Sequence, residues 1–481
     1  VNGAQLRYKV VGEGGNLGFT QGGRIEYARA GGRIHTDFID NSAGVDCSDR
    51  EVNIKILLRE AGMTGPERDA LLAEMTDEVA ALVLRDNYEQ AWSLARARAQ
   101  AGALLPVHRR MITELEESGA LDRELEALPG DAELAHRESL TSPEMAVLMA
   151  YVKNLLQDEV ADSDLPDDPW TGQVLAGYFP RGLAERFPEA VDRHRLRREI
   201  VALAVVNEVV NRGGTSFVYR AREETGAAVA DVMRAYVVVR ETFGLRDLWA
   251  AVEALDGRVP VEAQIAVYLN TRRLLDRAVR WLLQNRRSPL DVEAEIAALK
   301  PGVTRLLPRL RSLYRGVERE ALREQVESLV AAGAPEELAD WTTRLRYSFG
   351  LLDVVEVATA HGLDPAEVAE VYFVLSERFR VDAVLSKISA LPRQNRWQAL
   401  ARMALRYDLY AALAALTSEV LTHTTPGADA EARVYEWEQL NAAPIAQAVN
   451  AIGQFDASTA DLAAISVLIR QIRTLVRTSA A

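Results

Sequence analysis

Two short polar stretches in the first fifty residues hold the residue types best suited to chemistry. One is Gly12-Glu13-Gly14-Gly15-Asn16-Leu17-Gly18. The other is Asn41-Ser42-Ala43-Gly44-Val45, with Ser48 three residues on. Glycines such as Gly14 and Gly15 let backbone amides approach an anion or a sugar closely. A carboxamide, as on Asn16, hydrogen-bonds sugar hydroxyls. Ser48 offers a hydroxyl where the sequence reads as the mouth of a helix, and the positive dipole potential there suits a ligand carboxylate. The chemistry on offer is the orientation of a small polar ligand. The histidines His108, His136, His194, His361 and His423 have no metal-ligand spacing, and no Ser/His/Asp order stands out.

The elements that must position these groups are short. Leu6 to Val11 is a β-prone run that enters the glycine loop. Arg24 to Ala30 reads as a helix stopped by Gly31-Gly32, and Arg33 to Asp37 as the next strand. Ser48-Asp49-Arg50-Glu51 has the pattern of a capping box, opening a helix that carries Ile54, Leu57 and Leu58 to Gly62. In open α/β sheets ligands lie beyond the carboxyl ends of strands, so the two strand ends would turn Asn16 and Asn41 toward one crevice. The loop spacing is Gly-x-Gly-x-x-x-Gly, one residue longer than a dinucleotide fingerprint, and an acidic residue follows at Asp37 or Asp40. Each residue has a plainer reading as well: a structural turn for the glycines, a turn residue for Asn41 and a helix cap for Ser48.

Beyond residue 63 the chain speaks helix. Thr64-Gly65-Pro66-Glu67 and Thr141-Ser142-Pro143-Glu144 are helix starts with proline in the first turn. Met145, Leu148, Met149, Val152, Leu155 and Leu156 form one face of the second. Residues 195–212 are apolar on more than one side and belong in the centre of a bundle. Ile465, Leu468, Ile469, Ile472, Leu475 and Val476 make a clean stripe, with Arg470 and Arg473 off it. Tyr347, Tyr372, Trp397 and Trp437 fall at helical positions and read as core or interface anchors. No repeat of fixed period is present. Asp162 to Pro169 reads as a solvated connector, and Thr424 to Asp429 as another break. The expected division is therefore 1–62, 63–165, 166–423 and 424–481. The fold class is mostly α: an N-terminal remnant of a Rossmann-like α/β sheet followed by a large multi-helical region.

Net charge is -14 over 481 residues, which disfavours phosphate backbones and anionic lipid, so neither nucleic acid nor membrane is an expected partner. The basic run Arg193 to Arg198 reads as a solvated or interface face. No apolar run approaches the ~20 residues that span a bilayer. The single cysteine, Cys47, excludes an internal disulfide, fits a reducing cytoplasm, and is expected as a small buried apolar residue. The chain opens Val1-Asn2-Gly3 without Met, which points to an excerpt or a processed product.

Val11 to Thr20, followed by Asp40 to Lys55, resembles the large bacterial NAD-specific glutamate dehydrogenases. Ser142-Pro143-Glu144-Met145 and Val206 to Arg212 extend the resemblance into the helical region. Smaller glutamate dehydrogenases carry Glu-Gly-Ala-Asn, matched by Glu13 to Asn16. They also carry Asn-Ala-Gly-Gly-Val, matched by Asn41 to Val45, with a following Ser and Glu matched by Ser48 and Glu51; Ser42 and Ala43 depart from that pattern.

The resemblance implies cofactor binding by Gly14, Gly15, Asn16 and Asn41: Asn16 at the ribose on the nicotinamide side and Asn41 near the nicotinamide. It implies that Ser48 holds the side-chain carboxylate of glutamate. NAD would be the cofactor, L-glutamate and 2-oxoglutarate the substrate pair, and a homo-oligomer the assembly. The family's catalytic lysines, its catalytic aspartate and its main dinucleotide loop come earlier than this stretch. Lys9, Lys55, Lys153, Lys300 and Lys387 lack their glycine-rich context, so no catalytic residue and no metal site is expected in this chain. The competing expectation is a non-catalytic helical module for oligomerisation or regulation.

Overall fold

The structure, a computed structural model, describes residues 2–63, 65–453 and 461–478, so the Thr64 start signal lies outside the described residues. The chain is mostly helical and forms two compact units. One comprises Val1–Arg222 with Gly226–Arg234; the other comprises Glu223–Thr225 with Ala235–Ala481.

In the first unit the expected strands do not form. Among the described residues the only β pairing is an isolated parallel bridge between Val10 and Arg33. It rests on Val11 N–H donating to Arg33 C=O at 2.8 Å and Arg33 N–H donating to Lys9 C=O at 2.9 Å. Two bonds are too few for a ladder, because a parallel strand draws its stability from neighbours on both edges and cover on both faces. Tyr8 and Val10 are 72% and 69% exposed, so the first segment lacks that cover.

The helix expected at Arg24 begins earlier, as α1 (Gln21–Arg29). Thr20 is its N-cap, its Oγ1 accepting from Gly23 N–H at 3.2 Å, which offsets the poor propensity of Gly22-Gly23. The stop at Gly31 is as expected, with φ of 94°. Gly32 has a packing reason: a Cβ there would lie 2.2 Å from the Tyr27 ring. That ring is buried and its hydroxyl donates to Tyr8 C=O at 2.7 Å, tying the first segment to α1.

A one-turn α2 (Asp37–Asp40) leads directly into α3 (Ser42–Glu60). The capping-box reading of Ser48 is thereby overturned: Ser48 is an exposed residue inside α3, and Asn41 is the N-cap. Tertiary bonds decide the earlier start. Asn87, on α4 (Thr76–Ala99), donates to Ile39 C=O at 3.0 Å and Ser42 Oγ at 2.9 Å. Buried Arg50 reaches Asp46 at 3.0 Å, Asp86 at 2.5 Å and Tyr178 C=O at 2.6 Å. Burial, with Asp86 close by, pushes the Asp46 carboxyl up to about 6. Ile54, Leu57 and Leu58 fill the inner face as expected, and Gly62 ends the helix with φ of 74°.

The Thr141 start signal gives α5 (Ser142–Asp162), where the Glu144 carboxylate accepts from both Thr141 N–H and its hydroxyl at 2.7 Å. Met145, Leu148, Met149, Val152 and Leu156 are buried; Leu155, at the edge of the stripe, is exposed. The centre of the unit is α6 (Arg197–Gly213), packed on α4 and α5 with Ile200, Val201, Val205, Val206, Val209 and Val210 inside. The acidic connector is not simply solvated. Asp164 and Asp168 hold buried Arg234 at 2.7–2.9 Å, and Asp167 pairs with Arg197 and Arg198 of the basic run.

In the second unit, α7 (Val261–Asn285) packs against α8 (Glu336–Tyr347), and α9 (Leu351–His361) against α10 (Pro365–Arg378). The long α11 (Arg396–His423) meets α12 (Leu462–Thr478) through the buried stripe Ile465, Leu468, Ile469, Ile472 and Leu475. Tyr372 and Trp437 are buried anchors, whereas Trp397 is 77% exposed.

Candidate functional site

The glycine loop is held from beneath by charge. Glu13 and Arg24 are both buried and pair bidentately, Nε to Oε2 at 2.6 Å and NH2 to Oε1 at 2.9 Å. Arg24 also pairs with Asp37 at 3.0 Å. Burial opposes the Arg24 charge, and Glu13 and Asp37 outweigh it, so the guanidinium holds its proton above its ordinary value. Burial likewise opposes the Asp37 carboxylate. The Leu17 N–H and Arg24 outweigh it and hold its pKa below the usual range.

The remaining carboxylate oxygens take loop amides. Leu17 N–H donates to Asp37 at 2.8 Å, Glu13 N–H to Asp40 at 3.0 Å, and Phe19 N–H to Glu13 at 3.0 Å. Leu17 adopts a left-handed backbone, φ 59°, a conformation that costs a non-glycine residue about 1 kcal/mol and that the Asp37 bond maintains. Asp37 and Asp40, the acidic residues that follow the loop in sequence, are thus engaged by the loop itself.

So braced, the loop presents Gly14, Gly15 and Asn16 to solvent, and a Cβ on either glycine would meet nothing within 4 Å. Asn41 makes no cap bond to α3; its Nδ2 instead donates to Asn16 Oδ1 at 2.6 Å. The two carboxamides therefore meet at one surface. Gly44 lies one turn along α3, where a Cβ would come 3.3 Å from Asn41 Oδ1. Ser48 follows two turns from Asn41, on the same helical face. That face also carries Val45 and Val52, 73% and 50% exposed. Cys47 is exposed too, contrary to the expected burial. The buried side of α3 is occupied by Arg50, Asn53, Ile54, Leu57 and Leu58, which leaves the short residues outside.

Other features give no stronger site. A cavity of about 740 Å³ is lined by Arg29, Arg33, Glu133 and Arg137 among others, and Glu133 neutralises both Arg29 and Arg137. No group of His, Cys, Asp and Glu able to hold a metal ion is found among the described residues. No helix is long and apolar enough to cross a membrane, again among the described residues. Lys153 on α5 is the lysine whose surroundings sequence spacing gave no sign of: burial lowers its pKa to about 8 against the pull of Asp86 and Glu89. Its context is the packed face of α4, not the glycine loop.

Comparison with known proteins gives these residues a setting. Residues 137–474 match the family described as "Glutamate dehydrogenase, C-terminal", and residues 1–97 match "Bacterial NAD-glutamate dehydrogenase, catalytic domain". The NAD-specific glutamate dehydrogenase of Mycobacterium tuberculosis is 43% identical over 488 residues, covering 100% of this chain and 30% of that protein. The protein of the same name from Pseudomonas aeruginosa is 43% identical, over 91% of this chain and 28% of its own length. That from Halomonas elongata is 40% identical, over 92% and 28%. The chain thus spans under a third of the curated relatives it matches. Its first 97 residues correspond to catalytic-domain sequence and the rest, from residue 137, to the C-terminal region, so the chain belongs to the bacterial NAD-glutamate dehydrogenase family and corresponds to its C-terminal portion.

Proposed function

We propose that this chain is the C-terminal part of an NAD-dependent glutamate dehydrogenase, converting L-glutamate to 2-oxoglutarate and ammonium, and that alone it is inactive. The observation that carries the reading is the meeting of Asn16 and Asn41 at an exposed surface beside Gly14-Gly15, with Ser48 along the same face of α3.

Open space over both glycines and two adjacent carboxamides fit the ribose and amide of a nicotinamide nucleotide, which accepts the hydride when bound. The residues of this chain orient. Asn16 would hold a ribose hydroxyl, Asn41 the nicotinamide end, and Ser48 Oγ the side-chain carboxylate of glutamate. The parallel bridge at Val10 and Arg33 supports reading residues 1–62 as the edge of a Rossmann-like sheet whose other strands come from elsewhere in the full-length enzyme. A homo-oligomer in the cytoplasm is the setting that the resemblance and the lone cysteine support.

The test is reconstitution. The purified 481-residue chain should give no glutamate-dependent NAD reduction, and co-expression with the upstream polypeptide of its relatives should restore it. Turnover by the isolated chain, or failure of a folded reconstituted complex to turn over, overturns the reading.

A further inference from the structure

The second unit holds a group of arginines with no acidic partner. Arg273 and Arg277 lie one turn apart on α7, Arg346 ends α8, and Arg402 and Arg406 lie one turn apart on α11. Among the described residues none of the five makes an ion pair, although the chain carries a net charge of -14. Arg273 and Arg277 make no side-chain hydrogen bond there either.

Geometry brings the three helices together. Arg346 NH1 donates to Asn270 Oδ1 at 3.2 Å, which puts α8 against the turn of α7 that precedes Arg273. Tyr407 Oη donates to Asn285 Oδ1 at 3.2 Å, and Gln284 Nε2 lies 2.9 Å from Met403 Sδ, which places α11 along the far half of α7. The Phe349 and Tyr410 rings, 4.5 Å apart between centroids, join the turn that follows α8 to α11. Arg277, Arg346, Arg402 and Arg406 are half-buried, and Arg273 is open to solvent, so water reaches the group.

Like charges held this way repel. Burial first, then the charges of Arg273 and Arg277 on Arg346 and of Arg277 and Arg402 on Arg406, lower the proton affinity of these two guanidinium groups, each to about 10. The carboxylate that acts on Arg402 and Arg406 is Glu224, and it is already bonded to Arg280. A further donor is idle: Asn270 is 3% exposed, its oxygen is taken by Arg346, and its Nδ2 has no partner among the described residues. The other bonds of the group go to neutral partners, Arg346 to Gln325 and Arg402 and Arg406 to Ser389, and leave the charges uncompensated. Guanidinium groups without a counter-charge at partial burial are costly unless an anion completes them, and their planar forks suit phosphate and carboxylate oxygens.

We propose that Arg273, Arg277, Arg346 and Arg406, with Arg402 at the rim, form a binding site for a small oxyanion of two or more negative charges. The site belongs to the second unit, shares no residue with the Asn16–Asn41 pair and does not depend on the dehydrogenase reading. It makes the helical region the seat of a ligand, beyond a scaffold.

The test is calorimetric titration of the full chain with inorganic pyrophosphate and, separately, with citrate, against sodium chloride of equal ionic strength. Saturable binding of either probe with a Kd below about 1 mM is expected, and the probe that binds assigns phosphate or carboxylate chemistry. Arg277→Gln should weaken binding about tenfold, the loss of one charge-assisted contact. Without added anion it should raise the unfolding temperature, because it removes repulsion. If Arg277→Gln does not fold, Arg273→Gln, at the exposed edge, serves the same comparison. Absence of saturable binding by both probes, or equal binding by wild type and a folded variant, overturns the proposal.

Discussion

Asn41 donates its side-chain N–H to the carboxamide oxygen of Asn16 across 2.6 Å, joining residues 25 apart in the chain and leaving α3 without a side-chain cap. An N-cap asparagine usually spends its oxygen on its own helix, worth about 1 kcal/mol. Here the polar side chain is turned to the loop instead. In the full-length enzyme the two residues should act as one unit toward the cofactor. A double-mutant cycle of NAD affinity with Asn16→Ala and Asn41→Ala is expected to show coupling of about 0.5–3 kcal/mol. Strict additivity would mean that each acts alone.

Ser48→Ala separates substrate recognition from folding. Ser48 is exposed inside α3, so the change should leave thermal stability of the chain within about 0.5 kcal/mol or raise it slightly, alanine being the better helix former. In the reconstituted enzyme KM for glutamate should rise about tenfold, the loss of one hydrogen bond to a charged group, with KM for NAD little changed. An equal effect on both would remove Ser48 from the substrate site.

Arg24→Met leaves the Glu13 carboxylate buried without its bidentate partner and frees Asp37 from its guanidinium. A loss of about 3–5 kcal/mol of stability is expected, measured by denaturant unfolding of the first unit's signal. The loop amides of Leu17 and Phe19 should lose hydrogen-exchange protection at the same time, since they hang on the same two carboxylates. A stability change under 1 kcal/mol would show that the pair is not the support of the glycine loop.

A pH effect comes from the second unit. Burial pushes the Asp353 carboxyl up to about 7 and Glu318, with Asp382 near, up to about 8. Asp353 accepts from Trp281 Nε1 at 2.8 Å and from Tyr372 at 3.4 Å. The folded state keeps protons that the unfolded chain releases at ordinary carboxylate values. Stability therefore falls as pH rises from about 4 through 8 and levels off above. Asp353→Asn, which preserves the Trp281 contact, should flatten the lower part of that fall and exceed the wild type in unfolding temperature at pH 8. Asp353→Asn with Glu318→Gln should flatten most of the fall above about pH 6, Asp46 of the first unit keeping its own share below that. An unchanged slope in the double variant would locate the pH dependence elsewhere.

Cys47 should react with a thiol reagent at one equivalent in the native chain, without denaturant, because it lies on the exposed face of α3. In the reconstituted enzyme NAD and glutamate together should slow that reaction several-fold. Reactivity gained only on unfolding would contradict the exposed position.

Sequence alone determined the helical elements whose apolar period is long. The stripes at Met145 to Leu156, apart from exposed Leu155, and Ile465 to Leu475 form as read, since a 3.6-residue repeat over several turns specifies which side is buried. It also placed stops at Gly31 and Gly62, where only a left-handed residue continues the chain cheaply, and it picked out the glycine loop and the Thr141 helix start by motif. Tertiary structure decided the rest. Residues Leu6 to Val11 and Arg33 to Asp37 carry strand-like composition, yet a strand exists only in its ladder, and here one bridge is all that pairs. Whether Ser48 capped a helix or sat within one was settled by Asn87 and Arg50, side chains reaching α2 and α3 from elsewhere in the chain or anchoring them to it. The pairing of Asn16 with Asn41, the buried Glu13–Arg24 support and the gathering of arginines from three helices all join residues distant in sequence. No local pattern encodes such meetings, because they depend on how helices pack.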